Sequence, residues 1–260
     1  MGAPARALPE LELAPGSRVI ADLHLDLASA ESVEPFVEFL ARLAGCPRLV
    51  VLGDLFDVWV GPAQMQLGEA PRVLDALAAL AARGIDLVIV HGNRDFLLEQ
   101  RFAGRVHATL CPEGFVARLP GGERMLCVHG DTLCTRDRGY QRLRRVLRSA
   151  PLLWLAPRLP FALSRAIARR LRRASVKAVA AKYVDEKSIQ RDAVAAAARE
   201  HGASIVLCGH AHEFRDERVG ETRWIVLDAF GGEHDLLHRS GATLHVVCSA
   251  SHRYPGRPSA

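Results

Sequence analysis

What this 260-residue chain lacks narrows the field first. No apolar run reaches the ~18 residues that a bilayer-spanning helix needs. The opening MGAPARALPELELAPGS has neither the basic start nor the long apolar stretch of a secretory signal. It begins Met-Gly, yet Arg6 stands where a myristoylation signal takes Ser or Thr. The 6 cysteines form no C-x-x-C pair, and several sit in apolar runs such as MLCVHG and IVLCGH. That usage predicts buried thiols in a reducing cytoplasm, not disulfides or thiolate metal sites. No G-x-S-x-G segment offers a serine nucleophile. Aromatic residues are scarce, at 6%.

What is present is an ordinary folded composition, 49% hydrophobic and 24% charged. The length suits one large domain or two small ones. Charge is uneven. Residues 136–187 hold 15 Lys and Arg against 3 Asp and Glu, a local +12, which leaves −7 for the rest of a chain whose total is +5. A block of this kind implies an anionic partner. Within it only Tyr140, Trp154, Phe161 and Tyr183 are aromatic, so base stacking is poorly served and no nucleic acid is expected.

Apolar runs that end in polar residues recur along the chain. They are RVIADLH (18–24), RLVVLGD (48–54), DLVIVHGN (86–93), ERMLCVHGD (123–131) and SIVLCGHAH (204–212). Helical spacing covers 31–44, 69–83 before Gly84, and 185–201 before Gly202. Strands alternating with helices predict βαβ units and a helix-covered sheet. The basic stretch has helical period and is cut by Pro151, Pro157 and Pro160. The tail, 213–248, alternates β-like runs with turns at Gly220 and Ser240-Gly241, which predicts completion of a second sheet.

The five strand ends carry Asp22, His24, Asp54, Asp57, Asn93, Asp95, His129, Asp131, His210 and His212. Ligand chemistry in α/β folds gathers at carboxyl ends of strands. Imidazole, carboxylate and amide oxygen suit divalent Mn, Fe or Zn. Asp22 and His24, like His210 and His212, are two apart, which in an extended chain points both side chains one way. Gly53, Gly92, Gly130 and Gly209 flank these ends.

The ordered set D-x-H, G-D-x-x-D, G-N-x-D, H-G-D and G-H-x-H resembles the calcineurin-like metallophosphoesterases, over residues 20–212. The resemblance implies an α/β sandwich of two packed mixed β-sheets flanked by helices, with residues 137–184 inserted as a basic and apolar helical cap within a single domain spanning 1–260. It implies one metal on Asp22, His24, Asp54 and His212, and a second on Asp54, Asn93, His129 and His210. Asn93 then supplies a neutral oxygen where another carboxylate would repel a phosphate. Two ions roughly 3.5–4 Å apart activate a water at neutral pH and clamp an in-line displacement at phosphorus. Arg94, beside Asn93, is placed to pair with a phosphate oxygen. Asp95 and Asp131 are expected to orient ligating histidines.

A longer set, ADLHL, GDLFDVWVG, HGNRDFLL and HGDTLCTRDRGYQ, is similar to the UDP-2,3-diacylglucosamine diphosphatase family of lipid A biosynthesis. That family implies release of UMP and 2,3-diacylglucosamine 1-phosphate (lipid X) by attack on the α-phosphorus, usually with Mn. It implies a peripheral enzyme on the cytoplasmic face of the inner membrane, with a lipid-linked UDP-sugar and an anionic membrane surface as partners. Substrate contacts carried over by resemblance are Asn93, Arg94, Asp137, Ser175, Lys182 and His210. The apolar faces of the insert would hold acyl chains. Two departures stand out: Val179 where the family commonly has Asn, and Asp228-Ala229-Phe230 where it has a Gly-Asp-Trp-like stretch. They leave open a second reading, a dinuclear phosphoesterase for another nucleotide or phosphodiester.

Overall fold

The computed structural model describes residues 7–180, 188–241 and 243–251, with the backbone alone for 172–180. Two six-stranded sheets pack face to face. One runs β1-β6-β7-β8-β10-β9 and the other β12-β11-β2-β3-β4-β5. The strands are β1 (Glu10–Glu12), β2 (Arg18–Ile20), β3 (Arg48–Leu52), β4 (Asp86–Val90), β5 (Ala108–Cys111), β6 (Phe115–Arg118), β7 (Arg124–Cys127), β8 (Ile205–Cys208), β9 (Arg215–Val219), β10 (Thr222–Val226), β11 (Leu236–Ser240) and β12 (Thr243–Val247).

The period-2 pattern of each strand sorts its residues into layers. In β3, Val50 and Leu52 face the inter-sheet core with Met125, Cys127, Ile205 and Leu207. The alternate residues Leu49 and Val51 face helices α1 (Ala30–Arg42), α2 (Ala70–Ala82) and α3 (Gln100–Val106), through Phe36, Leu77 and Phe102. On the far side, Val206 and Trp224 of the other sheet meet Val194 and Ala198 of the helix Arg191–Glu200. Burial on both faces is why β3 and β4 read as unbroken apolar runs and pair in parallel.

Between β7 and β8 lie α4 (Arg138–Leu147), α5 (Ala150–Leu155) and α6 (Phe161–Ala180). The prolines punctuate them as expected: Pro151 sits in the first turn of α5, and Pro160 precedes α6. The helix 191–200, labelled α7 below, begins later than the helical pattern from 185 suggested, and 185–187 lie outside the described residues. All five expected strands are present but end earlier, so their polar residues lie beyond the ladders.

The tail departs from expectation. Its two hairpins do not build one sheet: β9 and β10 extend the sheet of β8, whereas β11 and β12 join β2 in the other. The alternation of a hairpin is the same whichever edge receives it. All 6 cysteines are free and five are buried, Cys248 being half-buried. Among the described residues, no helix is long and apolar enough to cross a membrane.

Candidate active site

The carboxyl ends of β2, β3 and β4 in one sheet meet those of β7 and β8 in the other. The ends hold one another through the backbone: Asp22 N–H donates to Gly53 O at 3.2 Å, His24 N–H to Asp54 O at 2.9 Å, and Gly209 N–H to His129 O at 2.9 Å. Side chains cross the same seam. His210 N–H donates to Asp22 Oδ2 at 2.7 Å, and His129 Nδ1 lies 2.9 Å from Leu52 O. The carbonyl requires a proton on Nδ1 and so turns Nε2 toward the site.

Asp22, His24, Asp54, His210 and His212 all adopt left-handed backbone, with φ of 53°, 49°, 51°, 69° and 53°. The expected extended geometry of the two i, i+2 pairs is therefore wrong. Their strands stop at Ile20 and Cys208, and the chain turns sharply so that both members of each pair converge. Left-handed backbone costs an L-residue roughly 1–2 kcal/mol. Five such residues in one cleft mark a geometry held for function. Two glycines permit the crowding. A Cβ on Gly92 would collide with the Asp54 carboxylate, and one on Gly209 with that of Asp22.

The seven expected ligands come together. Donor atoms of Asp22, His24 and His212 lie within 4.8 Å of one another, as do those of Asp22, Asp54 and His129. Asp54 stands between the groups, with Oδ2 3.7 Å from His24 Nδ1 and Oδ1 3.8 Å from His129 Nε2. His129 Nε2 is also 3.1 Å from Asn93 Oδ1 and 3.2 Å from His210 Nδ1. His24 and His212 approach at 2.9 Å between their Nε2 atoms.

The charges ask for a cation. Burial pushes the Asp54 carboxyl up, and the Asp95 and Asp22 charges add to this against His129. Burial disfavours charge on His129, yet the carboxylates of Asp54, Asp22 and Asp131 outweigh it and raise the imidazole to about 9. Burial first, and the Arg94 charge second, lower His24 to about 4; burial and the His129 charge do the same to His210. Asp22 Oδ1 and His24 Nδ1 are buried without a hydrogen-bond partner. Orphaned donor atoms, crowded carboxylates and the neutral imidazoles of His24 and His210 fit divalent metal ions of the borderline to hard kind.

Asp95 and Asp131 act differently from expectation. Asp95, fully buried, accepts from the N–H of Leu55 at 2.7 Å and of Gly92 at 2.8 Å, so it ties the β3 end to the β4 end. Asp131 accepts from the Tyr140 hydroxyl at 2.5 Å and Arg144 Nε at 3.0 Å. His129 is oriented by donating its Nδ1–H to a main-chain carbonyl, an acceptor that sequence cannot advertise. Arg94 Nη1 lies 2.6 Å from Asp57 Oδ1, and Arg94 N–H donates to Asp54 Oδ1 at 2.9 Å. Asp57 thus aims Arg94, a role the D-x-x-D spacing alone did not give it. Asp137 caps α4, accepting from Tyr140 N–H at 2.9 Å. The Ser175 side chain, Lys182 and the Val179 side chain lie outside the described residues. Asp228, one of the departures, accepts from Phe214 N–H at 2.8 Å and His234 N–H at 3.0 Å. It thereby braces the loop after His212.

Beside this cluster a cavity of about 400 Å³ opens under the inserted helices. Leu143 and Leu147 of α4, Leu152 and Leu155 of α5, and Ile167 of α6 line it against Trp59. Asp57, Asn93 and Arg94 belong to the same wall, so an apolar chamber borders the polar centre directly. The only signal for Trp59 in the sequence is its place in GDLFDVWVG.

A family model described as calcineurin-like phosphoesterase matches residues 18–214. A protein of Aeromonas hydrophila subsp. hydrophila named UDP-2,3-diacylglucosamine hydrolase is 42% identical over 231 residues, 85% of this chain and 94% of that protein. Proteins of the same name from Sodalis glossinidius and Pseudomonas paraeruginosa are 37% and 39% identical, covering 88% and 74% of this chain and 93% and 80% of theirs.

Proposed function

This chain is a hydrolase of the calcineurin-like phosphoesterase family, in the same group as the bacterial UDP-2,3-diacylglucosamine hydrolases, and from that premise we propose that it splits the pyrophosphate of UDP-2,3-diacylglucosamine. The products are UMP and 2,3-diacylglucosamine 1-phosphate. The observation that carries this reading is the shared wall: the apolar chamber and the polar cluster meet at Asp57, Asn93 and Arg94. A substrate with a diphosphate at one end of its sugar and acyl chains at the other matches that juxtaposition.

Asp22, His24, Asp54 and His212 would hold one divalent ion, and Asp54, Asn93, His129 and His210 a second, with Mn as the expected metal. Bound ions of this kind supply a nucleophilic water at neutral pH and neutralise phosphate charge. The remaining work belongs to side chains. Asn93 adds an uncharged oxygen beside the phosphate. Arg94, steadied by Asp57, offers its guanidinium to a phosphate oxygen as negative charge builds on the α-phosphoryl group. His210, half-buried just beyond the β8 end, would border the same oxygens. Asp137, Ser175 and Lys182 are proposed contacts to the sugar phosphate.

The acyl chains would lie among the leucines of α4 and α5, where each fully buried methylene contributes ~0.8 kcal/mol. The outer face of the cap exposes Val146, Leu153, Trp154 and Leu163. Arg158 stacks over the Trp154 ring, its guanidinium carbon 4.2 Å from the centroid. Apolar side chains beside arginines suit an anionic membrane surface, from which a lipid substrate would enter. We therefore treat 137–184 as a cap within one catalytic domain, peripheral to the inner membrane on its cytoplasmic face. The test is UMP release from UDP-2,3-diacylglucosamine in mixed micelles, with and without Mn. Metal-dependent UMP release is expected. Hydrolysis of water-soluble diesters alone would favour the second reading, a phosphoesterase for another substrate.

A further inference from the structure

The helix α4 does more than roof the chamber. On one face, Leu143 and Leu147 line the cavity. Its remaining side chains, with the C-cap residue Arg148, grip both loops that bring Asn93 and His129 to the centre. Toward His129, the Tyr140 hydroxyl and Arg144 Nε donate to the Asp131 carboxylate, and Gln141 Nε2 donates to Asp131 O at 2.8 Å. Toward Asn93, Arg148 Nη2 donates to Gly92 O at 2.8 Å. Arg148 Nη1 lies 3.3 Å from Pro112 O and from Glu113 Oε1. Glu113 also receives Arg144 Nη2 at 2.6 Å, so one carboxylate locks the two arginines together. The Arg148 guanidinium lies 5.6 Å from the centre of the Phe96 ring, which itself faces the cavity.

The consequence falls on one residue. Gly92 precedes Asn93. The peptide before its Cα is held through the Gly92 N–H by Asp95, and the peptide after it, which leads into Asn93, is held through the Gly92 C=O by Arg148, so the backbone is pinned on both sides of Gly92. One of those anchors belongs to the sandwich and the other to the cap. Arg148 is only 11% exposed at its side chain, and both its Nη atoms donate to carbonyls or to Glu113, so it is not simply a solvated charge of the basic block.

We propose that Arg148 is a positioning residue for Asn93, and that through it the seating of the cap sets the affinity of the second metal position. The proposal rests on the metal assignment above but not on the identity of the substrate. A lysine here reaches one carbonyl as a point charge and loses the fork that spans Gly92 and Glu113. Losing an outer partner of a ligand commonly weakens metal binding 10–100-fold.

The experiment is a Mn titration of metal-stripped full-length protein, wild type and variants, followed by calorimetry and by electron paramagnetic resonance of free Mn. Thermal melting of the stripped proteins is recorded alongside. In Arg148→Lys and Arg148→Met, one ion is expected to bind within threefold of wild type and the other 10–100-fold more weakly, Met more so than Lys. Arg145→Ala, on an exposed part of α4, is expected to bind both ions as wild type does. The proposal is overturned if Arg148→Lys binds both ions with wild-type affinity, or if both ions weaken equally with a lowered melting temperature, which is what a purely structural loss would give. Should Arg148→Met fail to fold, Arg148→Lys decides the matter by the same criteria. Absence of UMP release by the wild type would sink the substrate assignment and leave this test standing.

Discussion

Shortening the acyl chains of the substrate probes the chamber directly. The cavity of about 400 Å³ falls within the ~300–1,000 Å³ of small-molecule sites, and leucines, Ile167 and Trp59 form much of its wall. Removing two methylenes from each chain deletes four in all. At ~0.8 kcal/mol for each one fully buried, the ceiling is ~3.2 kcal/mol. With half of that surface buried the loss is ~1.6 kcal/mol, or about 15-fold in kcat/KM, since ~1.4 kcal/mol corresponds to a factor of ten. The companion variant is Ala168→Trp, which sets an indole where the α6 wall now has a methyl group. In that variant the chain-length dependence should flatten to less than threefold, while hydrolysis of bis(p-nitrophenyl) phosphate stays within twofold of wild type. The assay is initial-rate UMP release over a series of acyl lengths in mixed micelles. An unchanged length dependence in Ala168→Trp would refute the acyl chamber. Equal loss on both substrates would show that the substitution acted on the metal centre instead.

Other perturbations separate the roles of individual side chains. Asp54→Ala should abolish turnover and leave at most one ion per chain by metal analysis, because one carboxylate faces both donor groups; a fully metallated, active variant would remove the bridging role. Arg94→Ala should lower kcat/KM about 100-fold, the scale of losing one charge-stabilising donor in a transition state, with both ions retained; metal loss would mean that Arg94 supports the ligands. Gly209→Ala places a Cβ against the Asp22 carboxylate. Overpacking of this kind costs ~1–3 kcal/mol, so the melting temperature should fall by several degrees and metal binding should weaken. An unshifted melting curve would contradict the close approach.

Much of this site is legible in the sequence, and for a physical reason. Metal chemistry needs particular side chains, so Asp22, His24, Asp54, Asn93, His129, His210 and His212 announce themselves at the ends of apolar runs. Their backbone does not. Nothing in a D-x-H or G-H-x-H spacing states that the non-glycine residues turn left-handed, because that conformation is imposed by neighbouring loops through contacts such as Asp22 Oδ2 with His210 N–H. The partner of His129 is a carbonyl, which every residue possesses. Asp95 was expected to orient a ligating histidine, yet its carboxylate accepts from main-chain N–H groups, among them those of Leu55 and Gly92. Chamber residues such as Trp59 and Ile167 meet only because the insert folds back over the β3 end, a long-range fact that local periodicity does not carry. The same holds for the fold. Strands β2, β3, β4, β7 and β8 were readable as buried runs, whereas β1 and β5 bury little of their length and show no such run, and they stand through their pairing with β6 and β4.

The most direct measurement is diffraction from crystals grown with Mn, with anomalous data collected at the Mn edge. The account predicts two peaks, one within bonding distance of Asp22, His24 and His212, the other of Asn93, His129 and His210, with Asp54 ligating both. A single peak under saturating Mn, or two ions that do not share Asp54, would contradict it.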